Sequence, residues 1–267
     1  GREIRHDIGD LEETAAEGYD RRAQAVAPGR MITLVAPRDL SAASRKPSSS
    51  CSSGRTWLTR SCAGTLRDAI SDGSIAPGAR LTQEDIAQQL AVSRQPVLQA
   101  LRLLKKDGFV QDAPGRGVQV TPLDADQIAG LYQVRGALDA LAAKLAAQHR
   151  YRIDPHIIAA GRRAEQQGQF QAMIDADIAF HRAIYEGSQN PLIEPSAHQH
   201  WHHLRRVMGA VLQSSRQRES LWDEHEAIAQ AIAAGHASLA AELIEAHASE
   251  ASRQLTARLR EQLAQTG

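Results

Sequence analysis

Asp177 and His181 stand four residues apart in Asp175-Ala-Asp-Ile-Ala-Phe-His181, so on a helix they project from one face. His225 in Trp222-Asp-Glu-His-Glu-Ala-Ile228 and His247 in Leu243-Ile-Glu-Ala-His247 each sit beside residues that mark the buried stripe of a helix. One carboxylate and three imidazoles converging inside a helical bundle would make a site for a divalent ion: zinc first, nickel or manganese as alternatives. The chain has 11 histidines, and His198, His200, His202 and His203 form a competing cluster. Consecutive and alternate helical positions cannot face one point, so that cluster is set aside as a ligand set, with His202 or His203 expected to line the same cavity.

A second set of residues suits nucleic acid. From Thr82 to Gly108 the sequence reads as two short helices joined by a tight turn. Thr82 caps the first, with Asp85 at its third position, and Ile86 and Leu90 share its inner face. The second opens at Ser93, whose hydroxyl is expected to accept the Gln95 N–H; Pro96 is tolerated in a first turn. Val97, Leu101 and Leu104 form its buried stripe. This leaves Arg94, Gln95, Gln99, Arg102 and Lys105 outward, able to reach phosphates and base edges in a major groove, with Ser93 beside them. Phe109-Val110 and Val118-Gln-Val120 read as strands around Pro114-Gly-Arg-Gly117, with Arg116 at the tip of the wing.

The elements that must position these groups divide the chain. At 267 residues it is long enough for two modest domains with real cores, and 42% hydrophobic content with only 4% aromatic residues points to packed, alanine-rich helices. Residues 1–56 read as a disordered, Ser-rich extension, 57–122 as a winged helix-turn-helix, 123–256 as an all-α bundle of about six helices and 257–267 as a tail. The fold class is therefore mainly α. In the first bundle helix the apolar spacing runs through Ile128, Leu131, Val134, Leu138, Leu141 and Leu145, and in the last two through Ile228, Ile232, Leu239 and Leu243. Breaks are expected at Asp154-Pro155, Gly161, Gly168, Gly187–Pro191 and Gly235.

Formal net charge is zero, which argues against an indiscriminate polyanion binder; positive charge is local, at Arg94, Arg102, Lys105, Lys106 and Arg116 against Asp107 and Asp112. The two cysteines, Cys51 and Cys62, are placed outside both domains and near no metal partner. They fit a reducing, cytoplasmic setting better than a disulfide framework. No apolar run is long enough to span a bilayer.

The pattern Pro77-Gly-x-x-Leu81, Leu90-Ala-Val-Ser-Arg-Gln-Pro-Val97, Ala100-Leu-x-x-Leu104, Gly108-Phe-Val110 and Pro114-Gly-Arg-Gly117 resembles the DNA-binding domain of the GntR family of bacterial regulators. The helical part resembles the FCD branch of that family in Val134-Arg135, Leu138-Asp139, Asp177-x-x-x-His181, Asn190-Pro-Leu-Ile193 and the two later histidines. The resemblance spans roughly residues 57–256. It implies a dimeric transcription factor, usually a repressor, that releases operator DNA when a small organic acid binds the helical domain. It also implies Asp177, His181, His225 and His247 as ligands of an ion whose open positions face the effector cavity. Arg135 matches an arginine that points into that cavity, and its planar fork suits carboxylates; Arg205 and Arg206 are further candidates for effector contact. One departure concerns Leu98-Gln99, where the family carries Arg-Glu. Losing that cation should lower DNA affinity and flatten its salt dependence.

The expected mechanism is a two-state homodimer on a pseudo-palindromic operator, with effector binding changing the placement of the winged domains. The rivals are a metal-dependent hydrolase or isomerase fused to a DNA-binding module, and a DNA-binding protein whose ion is purely structural. Against the first, no extra base or nucleophile stands beside the ligands.

Overall fold

The computed structural model describes residues 53–115, 117–212 and 221–266. Residues 1–52, Arg116, 213–220 and Gly267 lie outside the described set, and with them Cys51, the wing-tip arginine and most of the expected extension 1–56; its last four residues, 53–56, are helical rather than disordered.

Helix α1 (Ser53–Ser71) begins the winged domain, followed by β1 (Arg80–Leu81), α2 (Gln83–Gln89), α3 (Arg94–Lys106), β2 (Val110–Asp112) and β3 (Val118–Val120). Thr82 caps α2 as its type and position require, accepting the Asp85 N–H at 3.1 Å and donating its hydroxyl to Asp85 Oδ2 at 2.7 Å. Ser93 occupies the N-cap of α3 but makes no side-chain cap bond, contrary to the sequence expectation; its hydroxyl stays on the exposed face. Helix α3 stops at Asp107 because Gly108 turns left-handed (φ +80°) and Phe109 N–H bonds back to Leu104 O at 2.8 Å.

The strands form one antiparallel sheet in the order β1-β3-β2, so the hairpin gains a third strand that periodicity does not reveal in a two-residue segment. Leu66, Ile70, Leu81, Val97, Leu104 and Phe109 close the core. Cys62 belongs to it: the residue lies in α1 and is fully buried, which corrects its assignment outside the domains.

Six helices among the described residues make the second domain: α4 (Ala125–Gln148), α5 (Pro155–Gln166), α6 (Phe170–Gly187), α7 (Ile193–Leu212), α8 (Leu221–Ala234) and α9 (Ala237–Thr266). Residues 257–266, read as a tail, continue α9 without a break, and Leu259 is buried. Gly161, read as a break, is inside α5 and buried.

Helices α4 and α9 pack along their length. The buried face of α4 is not the leucine stripe that apolar spacing suggests. Val134 is 54% and Leu141 44% exposed, whereas Tyr132, Arg135, Gly136, Asp139, Ala142, Ala143 and Ala146 turn inward. Small residues win because they let the helix axes approach: a Cβ on Gly136 would lie 3.5 Å from the Ala248 methyl. One core cluster, including Phe180, Ile184, Trp201, Ile228 and Ile244, surrounds the centre of the bundle. A second, with Ile128, Leu204, Val207 and Leu255, ties α4, α7 and α9 together nearer the winged domain.

Candidate metal centre

Helix α6 supplies Asp177 and His181, α8 supplies His225 and α9 supplies His247, and all four side chains are buried. One donor atom from each lies within 4.8 Å of every other. His225 Nε2 is 3.2 Å from Asp177 Oδ1, and His181 Nε2 is 4.0 Å from the same oxygen. Neither His225 nitrogen has hydrogen-bonding geometry to any partner; the 3.2 Å approach to Asp177 is at the wrong angle. His181 Nδ1 is likewise unsatisfied. Buried polar atoms without partners cost about 1–3 kcal/mol each, and an ion held by His225 would give one of its two orphaned nitrogens a partner. The three nitrogens and one carboxylate oxygen fit a first-row divalent ion of the zinc, nickel or manganese type.

The electrostatics favour ligation. Burial pushes the imidazoles of His225, to about 4, and of His247 below their ordinary range, so both are neutral at pH 7. Burial alone would raise Asp177, but the His225 imidazole beside it and the charge of Arg135 outweigh it and hold the carboxyl well below the usual range. Asp177, His225 and His247 are therefore held in the forms that ligate.

A second layer orients these groups. His247 Nδ1 donates to Glu224 Oε2 at 3.0 Å, which keeps its proton on Nδ1 and the lone pair on Nε2. Asp139 Oδ2 lies 3.4 Å from His181 Nδ1 and accepts from Arg135 Nε at 2.8 Å. Arg135 Nη2 donates to His181 Nε2 at 3.2 Å, and its guanidinium stacks on the Trp201 ring at 4.1 Å. Tyr185 donates to Asp139, and Trp201 Nε1 donates to the Tyr185 oxygen at 3.2 Å. The His225 ring is held between Phe180, 4.3 Å away, and the edge of Trp222 at 4.9 Å. Trp222 seats there because Gly161 has no side chain: a Cβ would meet its ring at 2.0 Å.

Sequence reasoning missed Glu224, Tyr185, Trp201 and the part played by Asp139. A carboxylate adjacent to a ligand histidine was the available signal for Glu224, yet it serves the histidine of the neighbouring helix.

Arg135 and Asp177 face a cavity of about 70 Å³, which Tyr132, Met173, Ile174, Met208, Leu221, His247, Ala251, Gln254, Leu255 and Arg258 complete. Arg205 and His202 do not line it. Arg205 Nη1 pairs with Asp175 at 2.7 Å on the bundle surface. His202 packs edge-on to Phe109 of the winged domain. His203 stacks on the same ring at 4.2 Å and donates from Nε2 to Asp107 O at 3.0 Å; Arg206 donates to Thr121 O. These residues of α7 join the two domains.

On the winged domain Arg94, Gln95 and Arg102 of α3 are exposed and Gln99 half-buried, with Ser93 exposed at the N-cap. Arg94 Nη2 pairs with Glu84 at 2.7 Å and Lys105 Nζ with Asp112 at 2.7 Å, both in solvent. Arg116 lies outside the described residues.

Among the described residues no helix is long and apolar enough to cross a membrane. Residues 58–120 match the gntR family of bacterial regulatory proteins, and residues 130–250 match the FCD domain. The chain is 28% identical to the HTH-type transcriptional regulator LutR of Bacillus subtilis over 67% of its own length and 92% of that protein's. It is 27% identical to McbR of Escherichia coli over 54% of this chain and 67% of that one. A transcriptional regulator of the GntR type from Rhodococcus sp. RHA1 superposes with a TM-score of 0.64 at 28% identity, covering 75% of this chain and 97% of the other. The E. coli McbR/YncC structure, at 21% identity and a TM-score of 0.63, covers 76% and 98% and shares the fold.

Proposed function

The chain belongs to the GntR family of bacterial regulatory proteins, in the branch with an FCD domain, and is a DNA-binding transcriptional regulator rather than an enzyme; from that premise we propose that a small organic acid, bound at a divalent-metal centre in the helical domain, controls its hold on operator DNA. The observation that carries this reading is the buried convergence of Asp177, His181, His225 and His247, two of which, Asp177 and His247, line a cavity together with Arg135. A divalent ion there supplies open coordination positions for carboxylate oxygens. Arg135, already oriented by Asp139 and stacked on Trp201, offers its fork to the same carboxylate. The apolar walls exclude water and strengthen both contacts.

Helix α7 supplies the route to DNA. Trp201 touches the Arg135 guanidinium, while His203 and Arg206, further along the same helix, hold Phe109 and Thr121 of the winged domain. An effector that prefers one placement of α7 thereby prefers one placement of the recognition helix α3, and a differential affinity of about 1–3 kcal/mol makes a useful switch. Ser93, Arg94, Gln95, Gln99 and Arg102 are the α3 contacts to DNA in this reading. The protein acts as a homodimer and repressor on a two-fold-related operator. Exposed Val134 and Leu141 on α4 offer apolar surface for the partner subunit.

The test is elemental analysis of the purified chain beside Asp177→Ala and His225→Ala variants, with operator binding titrated by carboxylic acids. The expected result is about one ion per chain, lost in both variants, and an acid that shifts operator affinity roughly 5- to 150-fold only while metal is present. A metal-free protein whose operator binding no acid alters would overturn it.

A further inference from the structure

Two arginines line the cavity, at different depths and from different helices. Arg135 is 1% exposed and sits beside the ligand histidines, while Arg258 is half-buried and borders the same cavity from α9. Between them the walls are apolar: Met173, Ile174, Met208, Leu221 and Leu255. His247, Ala251, Gln254 and Arg258 recur at intervals of three or four residues, so one face of α9 carries a ligand histidine at one end and a cation at the other. Eleven residues separate His247 from Arg258, about 16 Å of helix axis. Helical side chains lean toward the N-terminus, a direction that would carry the Arg258 head toward the histidine, and a half-buried arginine keeps its charge near the rim.

Arg253 and Arg260 of α9 are exposed, pairing with Glu250 and Asp126, and neither lines the cavity.

We propose that Arg258 is a specificity-determining residue that reads a second, distal carboxylate, so that the effector is a short dicarboxylate rather than a monocarboxylate. One carboxylate engages the metal centre and Arg135; a short apolar spacer lies against the methionine and leucine side chains; the other carboxylate meets the guanidinium of Arg258 at the rim. The small volume of the cavity, about 70 Å³, equals a few water-sized spaces and keeps the spacer short. This inference rests on the sensor reading given above.

The experiment measures binding to the full chain supplied with zinc, by calorimetry and thermal shift, using chain-matched pairs: succinate against butyrate, glutarate against pentanoate. Wild type is compared with Arg258→Gln and Arg258→Lys. A charge-assisted contact at the rim should make each dicarboxylate bind about 10- to 100-fold more tightly than its partner. Arg258→Gln should erase that preference by weakening dicarboxylates about 10- to 100-fold more than monocarboxylates, and Arg258→Lys should restore part of it. Equal binding within each pair, or an Arg258→Gln loss shared equally by both kinds of acid, overturns the proposal. If monocarboxylates bind and Arg258→Gln changes nothing, the sensor reading stands and this inference falls; if no acid of either kind binds, both fall.

Discussion

Replacing Gly161 by alanine sets two opposite effects against each other. In an open helix interior the change gains about 1 kcal/mol, because alanine loses less backbone freedom than glycine. At this position the new Cβ would lie 2.0, 2.1 and 2.4 Å from three ring carbons of Trp222, where ordinary contact is about 3.5–4.0 Å. The indole must move by roughly 1.5 Å, yet it is 1% exposed and wedged against His225. Overpacking of a rigid core site costs about 3 kcal/mol at the upper end of its usual range. The net is about 2 kcal/mol of destabilisation, a fall in melting temperature of roughly 4–8 °C for a folded body of this size.

Gly130→Ala in α4 is the control, since nothing lies within 4 Å of the position its new Cβ would take; it should raise the melting temperature by about 2–4 °C. Melts followed by circular dichroism, with chelator and with zinc, read both. Gly161→Ala should also diminish the zinc-induced stabilisation, because the displaced indole pushes on a ligand histidine. A Gly161→Ala protein as stable as wild type, beside a stabilised Gly130→Ala, would refute the reasoning from close approach.

Two further outcomes follow from the surface of α3 and from the domain junction. Arg94→Ala should weaken operator binding by about 1–3 kcal/mol if it meets a base edge, or reduce the salt slope by about one unit if it meets a phosphate; anisotropy titrations at several salt concentrations separate these, and no change in either places Arg94 off the DNA. Burial depresses His202 from 6.5 to about 4 and lowers His203 as well. As pH falls the unfolded chain takes up these protons first, so the junction contributes its full stability above about 6.5 and loses it progressively toward 4. The melting temperature should therefore fall on acidification across that window, and less steeply in His202→Gln; an identical slope in that variant would contradict the assignment.

Much of the site was readable because its geometry is local. Asp177 and His181 share a helix face by spacing alone, and His225 and His247 flank Ile228 and Ile244, which are buried. The recognition helix was readable for the same reason, through Val97, Leu101 and Leu104. What escaped depends on partners distant in sequence. Apolar periodicity picked the leucine edge of α4 because it counts hydrophobicity, whereas the packing against α9 selects small residues and a charged pair, Arg135–Asp139, that satisfy each other. Gly161 looked like a break until Trp222, from another helix, supplied the reason for a missing side chain. His202 looked like a cavity residue, and the neighbour that claims it, Phe109, lies in the other domain.

Trp201 and His203 are two positions apart on α7, so about 200° separates them around the axis. One faces the buried guanidinium of Arg135 and the other the aromatic ring of Phe109. A rod contacted on opposite flanks behaves as a pinion: turning it carries one flank forward and the other back. With side chains at roughly 5 Å from the axis, a turn of about 10° displaces each contact by about 1 Å. Chemical occupancy on one side would thus be expressed as angle on the other, and the wing would need no contact with the ligand to register it.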